Sequence, residues 1–125
     1  MIRPEDFFTF SQSIYNSLPS NKDSIELRTC VSRAYYYVFH HLRNRFNNHP
    51  KANFSKYAKE EQHREVVNFF YNLKHDDIAK RVANFKRARN EADYDLEKDL
   101  KKEDAQKWIH EAKVIVGRAS KISPT

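Results

Sequence analysis

One arginine in the segment FKRARNEADYD, residues 85–95, stands where a core residue is expected. The apolar residues of this predicted helix are spaced by four, three, three and four positions: Ile78, Val82, Phe85, Ala88 and Ala92. At about 100° per residue, Arg89 falls near the middle of that apolar stripe, whereas Arg87 points to the opposite, solvated side. A guanidinium on such a stripe has to be paired, extend to the surface, or face an open groove.

Two interpretations of Arg89 follow from this position. In the first, Arg89 is a structural residue paired with a carboxylate of the fold, such as Asp93 one turn along the helix. In the second, the stripe faces a cleft and Arg89 binds an anion there, because a guanidinium makes strong charge-assisted hydrogen bonds to phosphate. The sequence leaves both interpretations open.

The elements that must position Arg89 are predicted to be helices throughout. One glycine and four prolines leave few residues for hairpin turns, and residues 51–123 contain no proline. A chain of 125 residues is long enough to bury a core as one domain. We therefore expect a single all-α domain over residues 1–125, folded as a compact antiparallel bundle of about five helices.

Apolar periodicity gives approximate bounds for these helices. They are expected at about residues 4–18, 23–46, 59–74, from 76 through the Arg89 segment, and 101–120. The first helix is expected to bury Phe7, Phe10, Ile14 and Leu18. Asp23 and Glu26 resemble a capping box at the start of the second. The polar segment NNHPKANFSK, residues 47–56, is the predicted long loop.

Charge is unevenly distributed along the chain. The net charge is +6, residues 43–64 hold six Lys or Arg against two Glu, and residues 93–104 hold six acids against three Lys. A basic balance favours an anionic partner. No apolar run is long enough for a signal peptide or a membrane span, and Cys30 is the only cysteine. We expect a soluble protein in the reducing cytoplasm, with no membrane partner.

The histidines predict no metal site, and no cofactor is expected. The adjacent His40 and His41 project about 100° apart on a helix, which is poor geometry for binding one ion. His63, His75 and His110 match no recognised metal-ligand spacing. A single glycine cannot build a phosphate-cradling or dinucleotide-binding loop.

Two segments together resemble the HEPN family, the higher eukaryote and prokaryote nucleotide-binding domain. SRAYYYVFHH at residues 32–41 is similar to the SRAYYA-like motif of the family's long second helix. KRARNEADYD at residues 86–95 is similar to its R-x-x-ADY motif near the end of the fourth helix. The order and spacing of the two motifs, the number of helices and the length of the chain also fit the family. The resemblance therefore covers nearly the whole chain and implies a HEPN-like helical fold and a homodimer.

The resemblance also implies a reaction. Many members are metal-independent ribonucleases of toxin–antitoxin or defence systems, in which two R-x4-6-H motifs meet in a dimer cleft. The histidine exchanges protons with the ribose, and the arginine stabilises the charge on the phosphate. Here Arg89, Asn90 and Tyr94 occupy the catalytic positions, with Tyr94 where the histidine would stand. Tyrosine, with an ordinary pKa of about 10, is a poor general base at neutral pH but can donate a hydrogen bond to a phosphate.

RNA or nucleotide binding is expected from residues on two helices. Lys86, Arg89 and Asp93 belong to the fourth-helix motif. Arg33 and His40 are separated by six residues and project from one side of the second helix, so they match the R-x4-6-H spacing in a different helix. The alternative for this second pair is a polar face, solvated or between subunits, that also carries the tyrosines at positions 36 and 37.

Three classes of function remain open on this sequence. The first is an RNA-binding or RNA-cleaving protein of toxin–antitoxin or defence type. The second is a catalytically silent module that binds a nucleotide or another anion through Arg89. The third is a helical interaction subunit that dimerises or pairs with a minimal nucleotidyltransferase, as the resemblance to two-gene HEPN systems implies.

Overall fold

The computed structural model describes residues 1–125 and contains helices but no strands. Five α-helices follow one another, with one short 3-10 helix in the predicted loop after the second. They are α1 (Pro4–Ser17), α2 (Ile25–Phe46), the 3-10 helix (Phe54–Lys56), α3 (Lys59–Asn72), α4 (Asp76–Tyr94) and α5 (Lys102–Ala119). The predicted all-α bundle of about five helices is confirmed. None of these helices combines the length and the apolar character needed to cross a lipid bilayer.

The start of α2 differs from the predicted capping box. Ser24 is the N-cap, because its Oγ accepts a hydrogen bond from the Leu27 N–H at 3.0 Å. Asp23 lies one residue earlier and pairs with Arg28 instead. Glu26 remains in the first turn, where a negative charge complements the positive end of the helix dipole.

The central helix of the bundle is α2, since α1, α4 and α5 all pack along it. Arg28 near its start meets Ala92 near the end of α4, and Tyr35 further along meets Phe85. These pairs show that α4 runs antiparallel to α2. The helix that carries Arg89 therefore lies against the helix that carries Arg33 and His40.

Aromatic and aliphatic side chains from α2 to α5 fill the main core. Its largest fully buried members are Tyr35, Leu42, Phe46, Phe70, Phe85 and Ile115. A smaller apolar cluster lies at the end of the bundle where α2 begins. It consists of Leu27, Cys30, Val31, Ala92, Leu100 and Ala105.

The first helix presents a different face to the bundle from the predicted one. Phe10 is 53% exposed, so the prediction that it is buried is wrong, and Ser11 is buried instead. The Ser11 Oγ donates to the Cys30 carbonyl oxygen at 2.7 Å, and the Cys30 Sγ donates to the Ser11 carbonyl oxygen at 3.2 Å. This close approach of two small residues turns Phe10 outward, and Phe8 packs on Tyr37 with ring centroids 4.8 Å apart.

The buried arginine of the fold is Arg28, which the apolar periodicity did not reveal. It is 6% exposed, and its Nε and Nη2 lie 3.0 and 2.7 Å from the two carboxylate oxygens of Asp23. Its Nη1 donates to the carbonyl oxygens of Ala92 and Asp95 at 3.1 and 2.9 Å. Carbonyls at the end of a helix have no donor within the helix. Arg28 therefore fixes the end of α4, the helix that carries Arg89.

A tight turn joins α3 to α4. Lys74 has a left-handed backbone conformation, with φ of 65°. The N–H groups of Lys74 and His75 donate to the carbonyl oxygens of Tyr71 and Phe70 at 3.0 and 2.9 Å, which is the Schellman pattern of helix termination. The turn returns the chain along α3 and so brings α3 beside the half of α4 that carries Lys86 and Arg89.

Candidate functional site

Arg89 lies on the apolar side of α4 with 15% of its side chain exposed. Its Nε is 2.9 Å from the Oδ2 of Asp93 but out of line for a hydrogen bond, so this contact is an ion pair. Its Nη2 donates to the Tyr36 hydroxyl at 2.6 Å, and its Nη1 donates to the Asn90 Oδ1 at 3.0 Å. A guanidinium has five N–H groups; hydrogen bonds occupy two of them, and the Nε–H lies against Asp93 without a hydrogen bond. The pairing with Asp93 is present, yet Arg89 keeps two N–H groups for another acceptor.

Asp93 reduces the positive charge around Arg89 without cancelling it. Its carboxylate is 26% exposed and also accepts a hydrogen bond from the Ser32 Oγ at 3.3 Å. Water and Ser32 therefore stabilise this carboxylate in addition to Arg89. The side chains of Arg89 and Asp93 are 15% and 26% exposed, somewhat more than those of Arg28 and Asp23, at 8% and 22%, and Arg89 lacks the carbonyl partners that Arg28 has.

The Tyr36 ring connects the two predicted groups of binding residues. The guanidinium carbons of Arg33 and Arg89 each lie 5.2 Å from its centroid, within the range of cation–π attraction. The His40 ring stacks beside it at a centroid distance of 6.0 Å. Arg33 and His40 thus lie on one side of α2, as the helical phase predicts, and this side faces Arg89. The tyrosine at position 37 projects to a different side of α2, where it packs on Phe8 and His41.

Asn90 and Tyr94 lie on the outer side of Arg89. Asn90 is exposed and holds the guanidinium through its amide oxygen. Tyr94 is 73% exposed, and its ring centroid lies 5.9 Å from the guanidinium carbon of Arg89. The three residues at the predicted catalytic positions are therefore close together at the end of α4, with the tyrosine open to solvent.

Basic residues of α3 and α4 surround Lys86. Lys86 is half-buried, one turn before Arg89. Burial lowers the pKa of its ammonium group, and the positive charges of Arg89 and Arg64 lower it further. The part of this shift that Arg89 and Arg64 cause is repulsion between cations, which a bound anion would relieve.

Burial, and after it the same positive charges, lower the pKa of two histidines. Burial, together with the charges of Lys86 and Arg89, lowers the pKa of His63 to about 4. Burial and the neighbouring Arg43, whose Nη2 is 3.3 Å from the His40 Nδ1, lower the pKa of His40. His63 was not among the predicted site residues, because it lies on α3 and reaches the site only through the packing of helices.

These residues form one surface, which we call the Arg89 patch. Its members come from α2, α3 and α4 and are Arg33, Tyr36, His40, Arg43, His63, Arg64, Lys86 and Arg89. The permanently charged members are all cations. Two carboxylates pair with them, Asp93 with Arg89 and Glu65 with Arg64, so the patch keeps an excess of positive charge.

The Arg89 patch is an open surface rather than a pocket. A depression of about 890 Å³ lies near Arg28 instead, between the α1–α2 connection and the start of α5, and is lined by polar residues that include Ser20, Asp23, Asp99 and Glu103. It contains no patch residue. No three His, Cys, Asp or Glu side chains are grouped so that they could bind one metal ion.

Comparison with known proteins gives no match from which a function could be inferred, so the function is inferred from the residues of the Arg89 patch. No protein-family model matches the chain, and no curated protein is significantly similar to it. The HEPN resemblance rests on the two segments at residues 32–41 and 86–95, which the fold brings together at Tyr36 and Arg89.

Proposed function

We propose that this chain is a HEPN-like protein that binds RNA through the Arg89 patch. The observation that supports it best is the convergence of cations from three helices with few acids among them. Arg33 and Arg89 each lie 5.2 Å from the Tyr36 ring, and the charges of α2 and α4 reach His63 on α3. A nucleic acid carries one negative charge per phosphate, and binding it to such a surface releases counterions. The free N–H groups of Arg89 are suited to a phosphate oxygen.

The shape of the patch favours a polymer over a single nucleotide. Sites for small ligands are concave and enclose most of the ligand. The Arg89 patch is open, and its cations are spread over α2, α3 and α4 rather than gathered around a cavity. An extended strand of RNA can contact several of them at once, whereas a free nucleotide cannot.

Cleavage of the bound RNA requires a proton acceptor as well as Arg89. Tyr94 is a poor acceptor at neutral pH. His40 is the better candidate, because its pKa is lowered and it lies beside Tyr36, the hydrogen-bond partner of Arg89. Its Nδ1 accepts a hydrogen bond from the Arg43 Nη2 at 3.3 Å, so it has to release this bond before it can accept a proton. We propose RNA binding as the function and metal-independent cleavage of the bound RNA as an additional activity.

Single-stranded RNA is expected to bind with an affinity that falls as salt rises. Contact with three to five phosphates predicts a slope of about −2 to −3.5 in log affinity against log salt concentration. The measurement is a fluorescence titration of labelled RNA at several salt concentrations in the presence of EDTA. The same samples run on a gel test for metal-independent cleavage. Binding that is absent at low salt, or insensitive to salt, would contradict the proposal.

Self-association is a second candidate role, supported by exposed apolar side chains at the end of α4. Tyr94 and Leu96 are 73% and 71% exposed and lie next to the Arg89 patch. A second copy that covers them would bring two patches into one cleft, the arrangement that the HEPN resemblance implies. A minimal nucleotidyltransferase is the other partner implied for this surface.

A two-fold homodimer is expected in sedimentation velocity at micromolar concentration. Leu96→Lys would place a charge in the covered surface and is expected to shift the protein to monomer. Ile25→Lys changes an apolar side chain that is equally exposed at the start of α2, and it is the matched control. A monomer at the highest concentration reached by the wild-type protein would rule out the homodimer.

A further inference from the structure

His63 is held in one orientation beside the Arg89 patch. Its Nδ1 lies 2.6 Å from the hydroxyl oxygen of Tyr35, which is fully buried. Its ring stacks on Phe39, with centroids 3.8 Å apart and planes inclined by 19°. Because the ring is packed on one face and hydrogen-bonded at one nitrogen, the position of its other nitrogen is fixed.

The hydrogen bond to Tyr35 determines which ring nitrogen carries the proton. Tyr35 makes no other hydrogen bond, so its buried O–H is satisfied only by donating to the Nδ1 of His63. The proton of the neutral imidazole then lies on Nε2, which becomes a donor. This Nε2 has no partner within the protein and is not enclosed, so it is open to solvent.

We propose that the Nε2–H of His63 donates a hydrogen bond to a phosphate of bound RNA and so extends the anion site from α4 onto α3. This inference rests on the proposed function of the Arg89 patch. The charged and titratable groups that surround His63 are Lys86 and Arg89 from α4 and His40 and Arg43 from α2, besides Tyr35. An anion attracted by these cations is the acceptor that the exposed N–H would meet.

The contact would link RNA binding to proton uptake. In the free protein, burial and the surrounding cations hold the pKa of His63 near 4. A phosphate beside Nε2 favours the protonated ring, so the pKa rises in the complex. The rise is limited, because a protonated Nδ1 donates to the Tyr35 hydroxyl oxygen and leaves the buried O–H without an acceptor. Affinity is then expected to increase as pH falls from the raised pKa toward 4, because the complex binds a proton that the free protein lacks. Burial and Arg43 also lower the pKa of His40, so this histidine requires its own variant, His40→Gln.

The decisive variant is the double substitution Tyr35→Phe with His63→Phe. It keeps two stacked rings and removes both polar atoms of the pair together, which leaves no buried hydroxyl unsatisfied. We expect about ten-fold weaker binding of an oligouridylate of about twelve nucleotides, since one hydrogen bond to a charged phosphate is lost. Much of the gain in affinity at low pH should disappear as well. His110→Phe, on the exposed face of α5, is the control and should bind as the wild type does.

The protonation state can be measured independently of RNA binding. Long-range nitrogen-15 spectra of the histidine rings should show His63 as the Nε2–H tautomer in the free protein, and its ring signals should move on addition of oligouridylate. The Nδ1–H tautomer would overturn the role of His63. So would equal affinity of the double variant and the wild type while Arg89→Ala loses binding, and the proposed function of the Arg89 patch would then still stand. If the wild type binds no oligouridylate, the proposed function fails. In that case a titration with inorganic phosphate that leaves the His63 signals unchanged would overturn the contact too.

Discussion

Replacing Arg28 with alanine is expected to lower the free energy of unfolding by about 3–5 kcal/mol, the largest stability loss of any single arginine in this chain. The substitution leaves the Asp23 carboxylate and the carbonyl oxygens at the end of α4 without their donor. For a domain of this size the melting temperature should fall by on the order of 10–20 °C. Thermal and urea melts followed by circular dichroism measure it. Arg28→Lys keeps the positive charge but lacks the planar guanidinium with its several N–H donors, so most of the loss in unfolding free energy should remain.

Arg118 provides the matched control for Arg28. It pairs with Asp77 at 3.0 Å, but both side chains are about half exposed, so Arg118→Ala should change stability little. An acid titration of the wild-type protein tests the pair of Arg28 with Asp23. The hydrogen bond from Arg28 holds the pKa of Asp23 below its ordinary value, so its contribution is present above the ordinary pKa and is lost as pH falls through the folded-state pKa. Equal acid sensitivity of the wild type and Arg28→Ala would contradict the assignment of Asp23.

Arg89→Ala is expected to weaken RNA binding by about 10–100-fold while the fold stays intact. Arg89 supplies the free N–H groups nearest the centre of the patch, and a charge-assisted bond to phosphate contributes about 1.5–3 kcal/mol. The loss of stability should be only about 1 kcal/mol, because Asp93 keeps both Ser32 and water as partners. Titrations with labelled RNA and thermal melts on the same preparation separate the two effects.

Arg87 is the control for Arg89 on the same helix. It is exposed and contacts only Asn84, at 3.1 Å, so Arg87→Ala removes a screened surface charge and at most one phosphate contact from the salt dependence. A large drop in the melting temperature of Arg89→Ala, with RNA binding by the variant unchanged, would make Arg89 a structural residue. The pairing with Asp93 would then be its whole role.

Local patterns in the sequence predict the helices and the phase of Arg89 well. The spacing of apolar residues in α4 separates Arg89, which faces the packed side, from Arg87, which faces water, and the structure has both as predicted. The reason is that side-chain direction within one helix depends only on the helical repeat. The same argument places Arg33 and His40 on one side of α2.

Features that depend on how helices pack could not be predicted in this way. Arg28 donates hydrogen bonds to carbonyl oxygens more than sixty positions away in the sequence. Every residue has a backbone carbonyl, so a pattern of side chains does not indicate which carbonyls an arginine will bind. His63 joins the patch only because α3 folds back along α4. Phe10 was misplaced because the contact that decides the rotation of α1 is made by Ser11, a small polar residue.

The reciprocal contact of Ser11 with Cys30 makes the only thiol of this protein a reporter of internal motion. Cys30 is fully enclosed, and burial raises its pKa to about 11, so a thiol reagent can react only after α1 separates from α2. The rate of labelling at neutral pH therefore measures how often this pair of helices opens, as amide exchange does for local unfolding. Phe7 at the start of α1 stacks on His40 of the patch, with centroids 5.3 Å apart. A ligand that holds Phe7 and His40 together would slow the modification of the Cys30 sulfur, which lies nearly three helical turns from His40 along α2.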